Sequence, residues 1–214
     1  MVSVIIPTLN EQETIAAVVQ SAFLCDKVTE VLVIDDKSVD DTVALAKKAG
    51  AKVFASSRLG KGASMREGIL LAKNEILLFI DGDIHPYPKN MMELLIAPII
   101  NDECDFVKSS FTRNAGRVTE LVAKPLLSIF FPELTGFDQP LSGMIAGKKS
   151  ILKDLLIPND YGVDVSILID LYSKGARIKQ VNIDHLDSRS HSLIQIGKMS
   201  KEVSAAILKK AIDY

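Results

Sequence analysis

Apolar residues recur along this chain in two alternating rhythms. Val2–Ile6, Val31–Ile34, Lys52–Ala55 and Glu75–Ile80 are short stretches dominated by aliphatic side chains, the pattern of buried parallel strands. Between them, apolar positions fall three or four residues apart. Glu11–Phe23 carries Ile15, Val18, Val19 and Ala22 on one helical face. Asp40–Ala49 follows the same rule and is closed by Gly50 as a C-cap, and Gly62–Lys73 and Pro88–Ile100 complete the series. This β-α-β-α order predicts a parallel sheet with right-handed crossovers and helices on both faces. Beyond about residue 105 the alternation loosens. Strands are expected at Phe106–Ser110, Gly143–Gly147 and Ile178–Ile183, and helices at Val118–Phe131, Val163–Ser173 and Ser192–Ala211. No repeat, low-complexity tract or linker interrupts the chain, so residues 1–214 are read as one α/β domain.

Composition narrows the partners. At 214 residues, 48% hydrophobic and 24% charged, the chain can bury a large core. A formal net charge of -2 gives no electrostatic case for nucleic acid or an anionic membrane surface. An anionic ligand would have to be held by local cations and amides. Cys25 and Cys104 lack metal-ligand spacing and read as buried apolar residues of a reducing compartment. The chain opens almost directly on a strand, so no signal peptide is expected, and no apolar stretch reaches the roughly 18 residues of a bilayer span. A cytoplasmic protein is expected. The apolar segment Leu126–Phe131 suits a core face or a homodimer contact.

The polar residues concentrate at the carboxyl ends of the expected strands, where ligands of open α/β sheets collect. Pro7-Thr8-Leu9-Asn10-Glu11 follows the first strand, and Asp35-Asp36-Lys37-Ser38 the second. Gly60-Lys61-Gly62 precedes a helix, and Asp81-Gly82-Asp83 follows the fourth strand. Two carboxylates one residue apart suit a divalent cation shared with substrate phosphates, although Asp and Gly also favour simple turns. Asp35 and Asp36 suit hydrogen bonds from ribose hydroxyls or base N–H groups. Ser38 or Asp40 would cap the next helix, with Asp41 in its first turn. Lys61 would place an ammonium and free helix-start amides against a phosphate; were this segment alone, a solvated lysine in a flexible turn would be the better reading. Neither a Gly-x-Gly-x-x-Gly nor a Walker loop is present, which leaves a nucleotide held by side chains.

In order and spacing, Val4–Glu11, Val33–Thr42 and Asp81-Gly82-Asp83 resemble the opening motifs of glycosyltransferases of the A type, with their mostly parallel Rossmann-like sheet. The second half narrows this. Gly116–Leu127, Phe131–Leu134, Gln139–Gly143, Tyr161–Asp164 and Gly197–Ser200 resemble the glucosyl-3-phosphoglycerate synthases, retaining enzymes that transfer glucose from a nucleotide-diphospho-sugar to the 2-hydroxyl of 3-phosphoglycerate. The resemblance implies a nucleotide-sugar-binding half over 1–110 and an acceptor-binding half over 111–214. It implies Mg²⁺ or Mn²⁺ as cofactor, with Asp83 as metal ligand, His191 as the second and His185 in reserve. Asp83, Lys61 and Asp164 are the implied catalytic residues. Pro7, Thr8, Asn10, Glu11, Asp35, Asp36, Ser38, Lys61, Asp81 and Gly82 are the implied donor site, with UDP-glucose favoured. Gly116, Arg117, Thr119 and Gly143 are the implied acceptor site; a guanidinium behind a glycine at a helix start suits a phosphorylated, carboxylated molecule.

The chain departs from that pattern at two places. Met144 stands where a glutamate is common, and Asp164 replaces a glutamate with a shorter carboxylate. The chain is also shorter than typical members, without C-terminal material often used in oligomer contacts. Another acceptor, such as a polyprenyl phosphate or a sugar, fits the first-half motifs equally, and a nucleotide-sugar-binding protein without turnover fits Met144 and the short C-terminus.

Overall fold

The structure, a computed structural model, describes residues 1–112, 116–186 and 192–214. Seven strands form one sheet: β1 (Val2–Thr8), β2 (Val28–Asp35), β3 (Lys52–Ala55), β4 (Ile76–Phe79), β5 (Phe106–Thr112), β6 (Ile145–Lys148) and β7 (Ile178–His185). Their order is β3-β2-β1-β4-β6-β5-β7. All neighbours pair parallel except β6, which runs antiparallel to both β4 and β5.

Side chains of β1 alternate between two cores because successive strand residues point to opposite faces. Val2, Val4 and Ile6 pack with α1 (Ile15–Phe23) and α4 (Met91–Ile100) on one face. Ile5 packs with α3 (Lys61–Leu71) and α7 (Val163–Ser173) on the other. Burial on both faces explains why β1, β2 and β4 read as continuous aliphatic runs, whereas the edge strand β3 is mostly exposed. Ile15, Val18, Val19 and Ala22 are the buried residues of α1, as their spacing requires, and Cys25 and Cys104 are buried free thiols. Gly50 ends α2 (Thr42–Lys48) with φ 102° and donates its N–H to the Lys47 carbonyl.

A third core joins α7 to α8 (Leu193–Asp213) and to α5 (Lys124–Phe130). Ser192 and Gln195 form a reciprocal capping box at the start of α8, and Lys210 of α8 meets buried Asp170 of α7 at 2.5 Å. Leu127 and Phe131 turn into this core, whereas Ile129 and Phe130 stay exposed. Among the described residues, no helix is long and apolar enough to cross a membrane.

Several elements differ from the sequence expectation for local reasons. The helix expected from Glu11 starts at Ile15, because the Glu11 carbonyl is used by the N–H groups of both Thr14 and Ile15. Val118–Phe131 is not one α-helix. Pro125 has no N–H to donate one turn back, and the preceding turn widens into a π-helix, Thr119–Ala123, closed by Lys124 N–H on the Thr119 carbonyl. A short 3₁₀ turn, Pro132–Gly136, and α6 (Lys149–Leu152) were not expected.

Beneath β5 and β7, Arg177 and Lys148 converge on Asp105, at 2.9 and 2.7 Å. Their hydrogen bonds, Arg177 foremost, hold the Asp105 carboxyl well below the usual carboxylate range. A depressed folded-state pKa stabilises above the unfolded value and is lost as pH falls through the folded one. Asp105→Asn should therefore lower stability by about 1–2 kcal/mol at pH 7. In urea titrations its difference from the parent should shrink below about pH 4, where the unfolded carboxylate takes up its proton.

Candidate active site

Six strands run parallel, so their carboxyl ends share one edge of the sheet. Because β6 is reversed, it brings its amino-terminal approach, Ser142–Met144, to that same edge. Thr8, Asp35, Asp36, Lys61, Asp81, Gly82, Asp83 and Gly143 are gathered there, although 135 positions separate the first from the last.

Lys61, the first residue of α3, is the centre of the arrangement. Its Nζ lies 3.0 Å from Asp81 Oδ1 and 3.0 Å from Asp164 Oδ2 at the start of α7. Burial works against the charge, but Asp164 and Asp81 outweigh it and lift the pKa well above that of an ordinary lysine. Lys61 is a fixed cation. Gly143 closes on this group: a Cβ there would sit 2.3 Å from Lys61 Nζ and 2.5 Å from Asp81 Oδ1. Asp164 is 3% exposed, and its second oxygen, Oδ1, is buried without a protein hydrogen-bond partner. Such an acceptor suits a ligand hydroxyl.

One part of the expectation for Lys61 is corrected. The amides behind it are not free for a phosphate, because the N–H groups of Gly62 and Ala63 both donate to the Asn159 carbonyl, at 2.9 and 3.2 Å. The helix start is already satisfied by the loop that leads into α7, which leaves the ammonium as Lys61's contribution.

The loops after β1 and β2 clasp each other. Asn10 N–H donates to Ser38 Oγ at 2.8 Å, and Val39 N–H donates to Asn10 Oδ1 at 2.9 Å. Ser38 therefore does not cap α2. Asp40 does so by accepting the Thr42 N–H at 3.0 Å, and Asp41 occupies the N-cap position rather than the first turn. Asp35 Oδ2 accepts the Ser38 N–H at 3.1 Å, and Asp36 Oδ2 accepts the Gly60 N–H at 2.8 Å. Each carboxylate thus has one oxygen fixed in the frame. The other oxygens, Asp35 Oδ1 and Asp36 Oδ1, are buried without a protein partner, as is Thr8 Oγ1. Three unsatisfied acceptors at the ends of adjacent strands are a made-to-measure set for ribose hydroxyls and base N–H groups. Pro7 precedes Thr8 on β1, and the Glu11 N–H, three residues further on, donates to Thr42 Oγ1 at 2.8 Å.

Beyond β4, Tyr87 donates its hydroxyl to the Asp81 carbonyl, and Thr14 Oγ1 donates to the Gly82 carbonyl at 2.7 Å. A side chain at Gly82 would press on Thr8 Cγ2 at 2.8 Å. Burial, then the charges of Asp81 and Asp83, push the Tyr87 phenol well above its usual range. Tyr161 is raised by burial first, and Asp83 and Asp81 add to this against the pull of Lys61. Asp83 therefore lies within electrostatic reach of both phenols. Hard carboxylate oxygens from Asp83 suit Mg²⁺ or Mn²⁺. Among the described residues, no three His, Cys, Asp or Glu side chains converge on one point. His191 lies outside the described residues, and His185 is an exposed residue at the end of β7, opposite Thr112.

In the second half, Gly116 is half-buried, Arg117 is exposed and Thr119 is buried in the π-helix. Val118 belongs to the same buried core as Val165 of α7 and Ala206 of α8. The segment shares that core with α7, whose first turn carries Asp164. Sequence reasoning did not single out Lys108 or Tyr87, and it held Ser142 and Tyr161 only as members of the runs Gln139–Gly143 and Tyr161–Asp164. A lysine inside the apolar strand Phe106–Thr112 was the available signal for the first. Met144 is 1% exposed in the core, so an apolar side chain fills that position.

The sheet with its reversed β6, the Asp-x-Asp after β4 and the Lys61–Asp81–Asp164 cluster define a glycosyltransferase of the A type. The family model of glycosyl transferase family 2 matches residues 3–156. The chain belongs to that family and, within it, to the glucosyl-3-phosphoglycerate synthases. The glucosyl-3-phosphoglycerate synthase of Petrotoga mobilis is 35% identical over 100% of this chain and 74% of its own length. The solved structure of the Mycobacterium tuberculosis enzyme in complex with Mn²⁺, UDP-glucose and phosphoglyceric acid is 35% identical, with a TM-score of 0.95, covering 99% of this chain and 79% of that one. The same enzyme in complex with Mg²⁺ and UDP superposes with a TM-score of 0.93 at 35% identity, over 99% of this chain and 79% of that one.

Proposed function

We propose that this glycosyltransferase moves glucose from UDP-glucose to the 2-hydroxyl of 3-phosphoglycerate with retention, giving glucosyl-3-phosphoglycerate and UDP. The observation that carries this is the joint match in sequence and fold to an enzyme solved with UDP-glucose and phosphoglyceric acid, together with the buried Lys61–Asp81–Asp164 cluster at the sheet edge.

In this reading Thr8, Asp35 and Asp36 accept hydrogen bonds from the nucleoside through their unpartnered oxygens. Lys61, a cation held in place by two carboxylates, stabilises charge that grows on the leaving diphosphate. Asp164 Oδ1 accepts from a glucose hydroxyl and orients the ring. Asp83 and His191 would hold Mg²⁺ or Mn²⁺, which supplies further neutralisation of diphosphate charge when bound. Both carboxylates nearest the cluster, Asp81 and Asp164, are engaged by Lys61. That favours front-face transfer over a covalent glycosyl-enzyme. The bond from the anomeric carbon to the UDP oxygen breaks, the bond to the 2-oxygen of the acceptor forms, and the acceptor's proton leaves with the diphosphate.

The exposed Arg117, with the Gly116 backbone, serves the phosphate and carboxylate of the acceptor. Arg117→Ala should raise KM for 3-phosphoglycerate by about 10- to 100-fold, the worth of a charge-assisted hydrogen bond, with donor KM unchanged. Initial rates at varied acceptor and saturating donor check this. An unchanged acceptor KM, or transfer to a polyprenyl phosphate in place of 3-phosphoglycerate, would contradict the acceptor assignment. A cytoplasmic location, and a homodimer using exposed Ile129 and Phe130, complete the proposal.

A further inference from the structure

Lys108 is a lysine with no exposure at all, in the middle of β5. Its Nζ donates to two backbone carbonyls, Ser142 at 2.8 Å and Asp164 at 3.1 Å. These carbonyls belong to two segments far apart in sequence that meet at the reaction centre. Ser142 directly precedes Gly143, against which Lys61 and Asp81 close. Asp164 opens α7 and holds Lys61 from the other side. Ser109 reinforces the first tether through a 2.6 Å contact between its hydroxyl and that of Ser142, which in turn accepts the Met144 N–H at 3.2 Å.

We propose that Lys108 is a positioning residue for glycosyl transfer: from within the sheet, its ammonium ties the Gly143 approach to the start of α7 and so sets the gap that Lys61 bridges between Asp81 and Asp164. The inference rests on the function proposed above. A lysine is an expensive choice for such a buried place, since desolvation opposes the charge. Burial, aided by Lys61, pushes its pKa down to about 8, while Asp164 and Asp81 act in the other direction. A hydrophobic residue would pack there without this cost, but it would leave the two segments untied. Lys108 reaches neither segment's ligand-facing atoms in these contacts, because both bonds go to main-chain oxygens, so its effect passes through Gly143 and Asp164.

The test compares the parent protein with Lys108→Met and Lys108→Gln in the same assay of UDP-glucose, Mn²⁺ and 3-phosphoglycerate. Rates are normalised to folded protein by circular dichroism and thermal melting. Lys108→Met should lower kcat by about 10- to 100-fold, the scale of a small misplacement of reacting groups, with KM for UDP-glucose within about threefold. Lys108→Gln, which keeps a shorter two-hydrogen donor without the charge, should recover part of that loss. A purely structural lysine would instead lower the melting temperature and leave kcat per folded molecule intact. If Lys108→Met does not fold, Lys108→Gln decides: a kcat equal to the parent's overturns the proposal, and a fall of about fivefold or more with unchanged donor KM supports it. A folded Lys108→Met protein with parental kcat also overturns it. A parent that makes no product overturns both this role and the function on which it rests.

Discussion

Asp83→Ala is expected to reduce transfer by about 10³-fold or more, the several kcal/mol that charge neutralisation by a metal contributes in such reactions. Asp83 closes the Asp-x-Asp, and it acts electrostatically on both Tyr87 and Tyr161. Asp81 is held by Lys61 on its side chain and by Tyr87 on its carbonyl, so it is committed to the frame. The loss should therefore appear in kcat together with the metal dependence. Titrating Mn²⁺ into the variant should give little or no recovery at concentrations that saturate the parent. Thermal melting of the variant without metal separates this loss of turnover from a loss of folded protein. Full turnover by Asp83→Ala would remove the metal assignment.

Gly143→Ala carries the second large effect, and it separates stability from activity. The added methyl would meet Lys61 Nζ at 2.3 Å and Asp81 Oδ1 at 2.5 Å, both the far ends of side chains. Side-chain ends can shift further than backbone, so the fold should survive the change, at the cost of about 1–3 kcal/mol that overpacking a paired site carries. The catalytic arrangement cannot absorb it in the same way, because moving the ammonium displaces the Lys61 cation assigned to the leaving group. A shift of about 1 Å at that point should lower kcat by about 10²-fold. Gly82→Ala is a useful contrast: there the methyl meets Thr8 Cγ2 at 2.8 Å, so the pressure falls on the donor side of the site. Parallel measurement of kcat and melting temperature for Gly143→Ala checks the separation. A protein that melts much earlier yet turns over normally per folded molecule would contradict it.

Much of this arrangement was legible in the chain because parallel strands buried on both faces must be aliphatic. The runs containing Ile5, Leu32 and Leu78 could hardly be anything else, and the polar residues that end them had to fall at one edge. The spacing of Ile15, Val18, Val19 and Ala22 likewise fixed which face of α1 turns inward. Strand direction was harder. Nothing in Ile145–Lys148 records that β6 runs antiparallel, yet that reversal carries Gly143 to the active edge. The π-helix had a visible cause in Pro125, but a proline early in a helix usually passes without disturbance.

In the site, side chains close in sequence were read well and pairs distant in sequence were not. Lys61 and Asp164 are 103 positions apart, and resemblance alone brought Asp164 forward. The occupation of the Gly62 and Ala63 amides by Asn159 depends on a loop more than ninety positions away, so the helix start looked free for a phosphate when it is not. Ser38 looked like a helix cap because its hydroxyl precedes α2, but the β1 loop offers it the Asn10 N–H instead. Lys108 was passed over for a related reason. A single charge in an apolar strand has meaning only when its two carbonyl partners, at 142 and 164, are known.

The most direct measurement is of transfer itself: the protein with UDP-glucose, Mn²⁺ and 3-phosphoglycerate, followed by mass spectrometry for a new phosphorylated glucoside and by proton NMR for its anomeric configuration. The account predicts glucosyl-3-phosphoglycerate with the α-configuration of the donor retained, formed in step with UDP and only when all three components are present. UDP release without the glucoside, or a glucoside of inverted configuration, would contradict it.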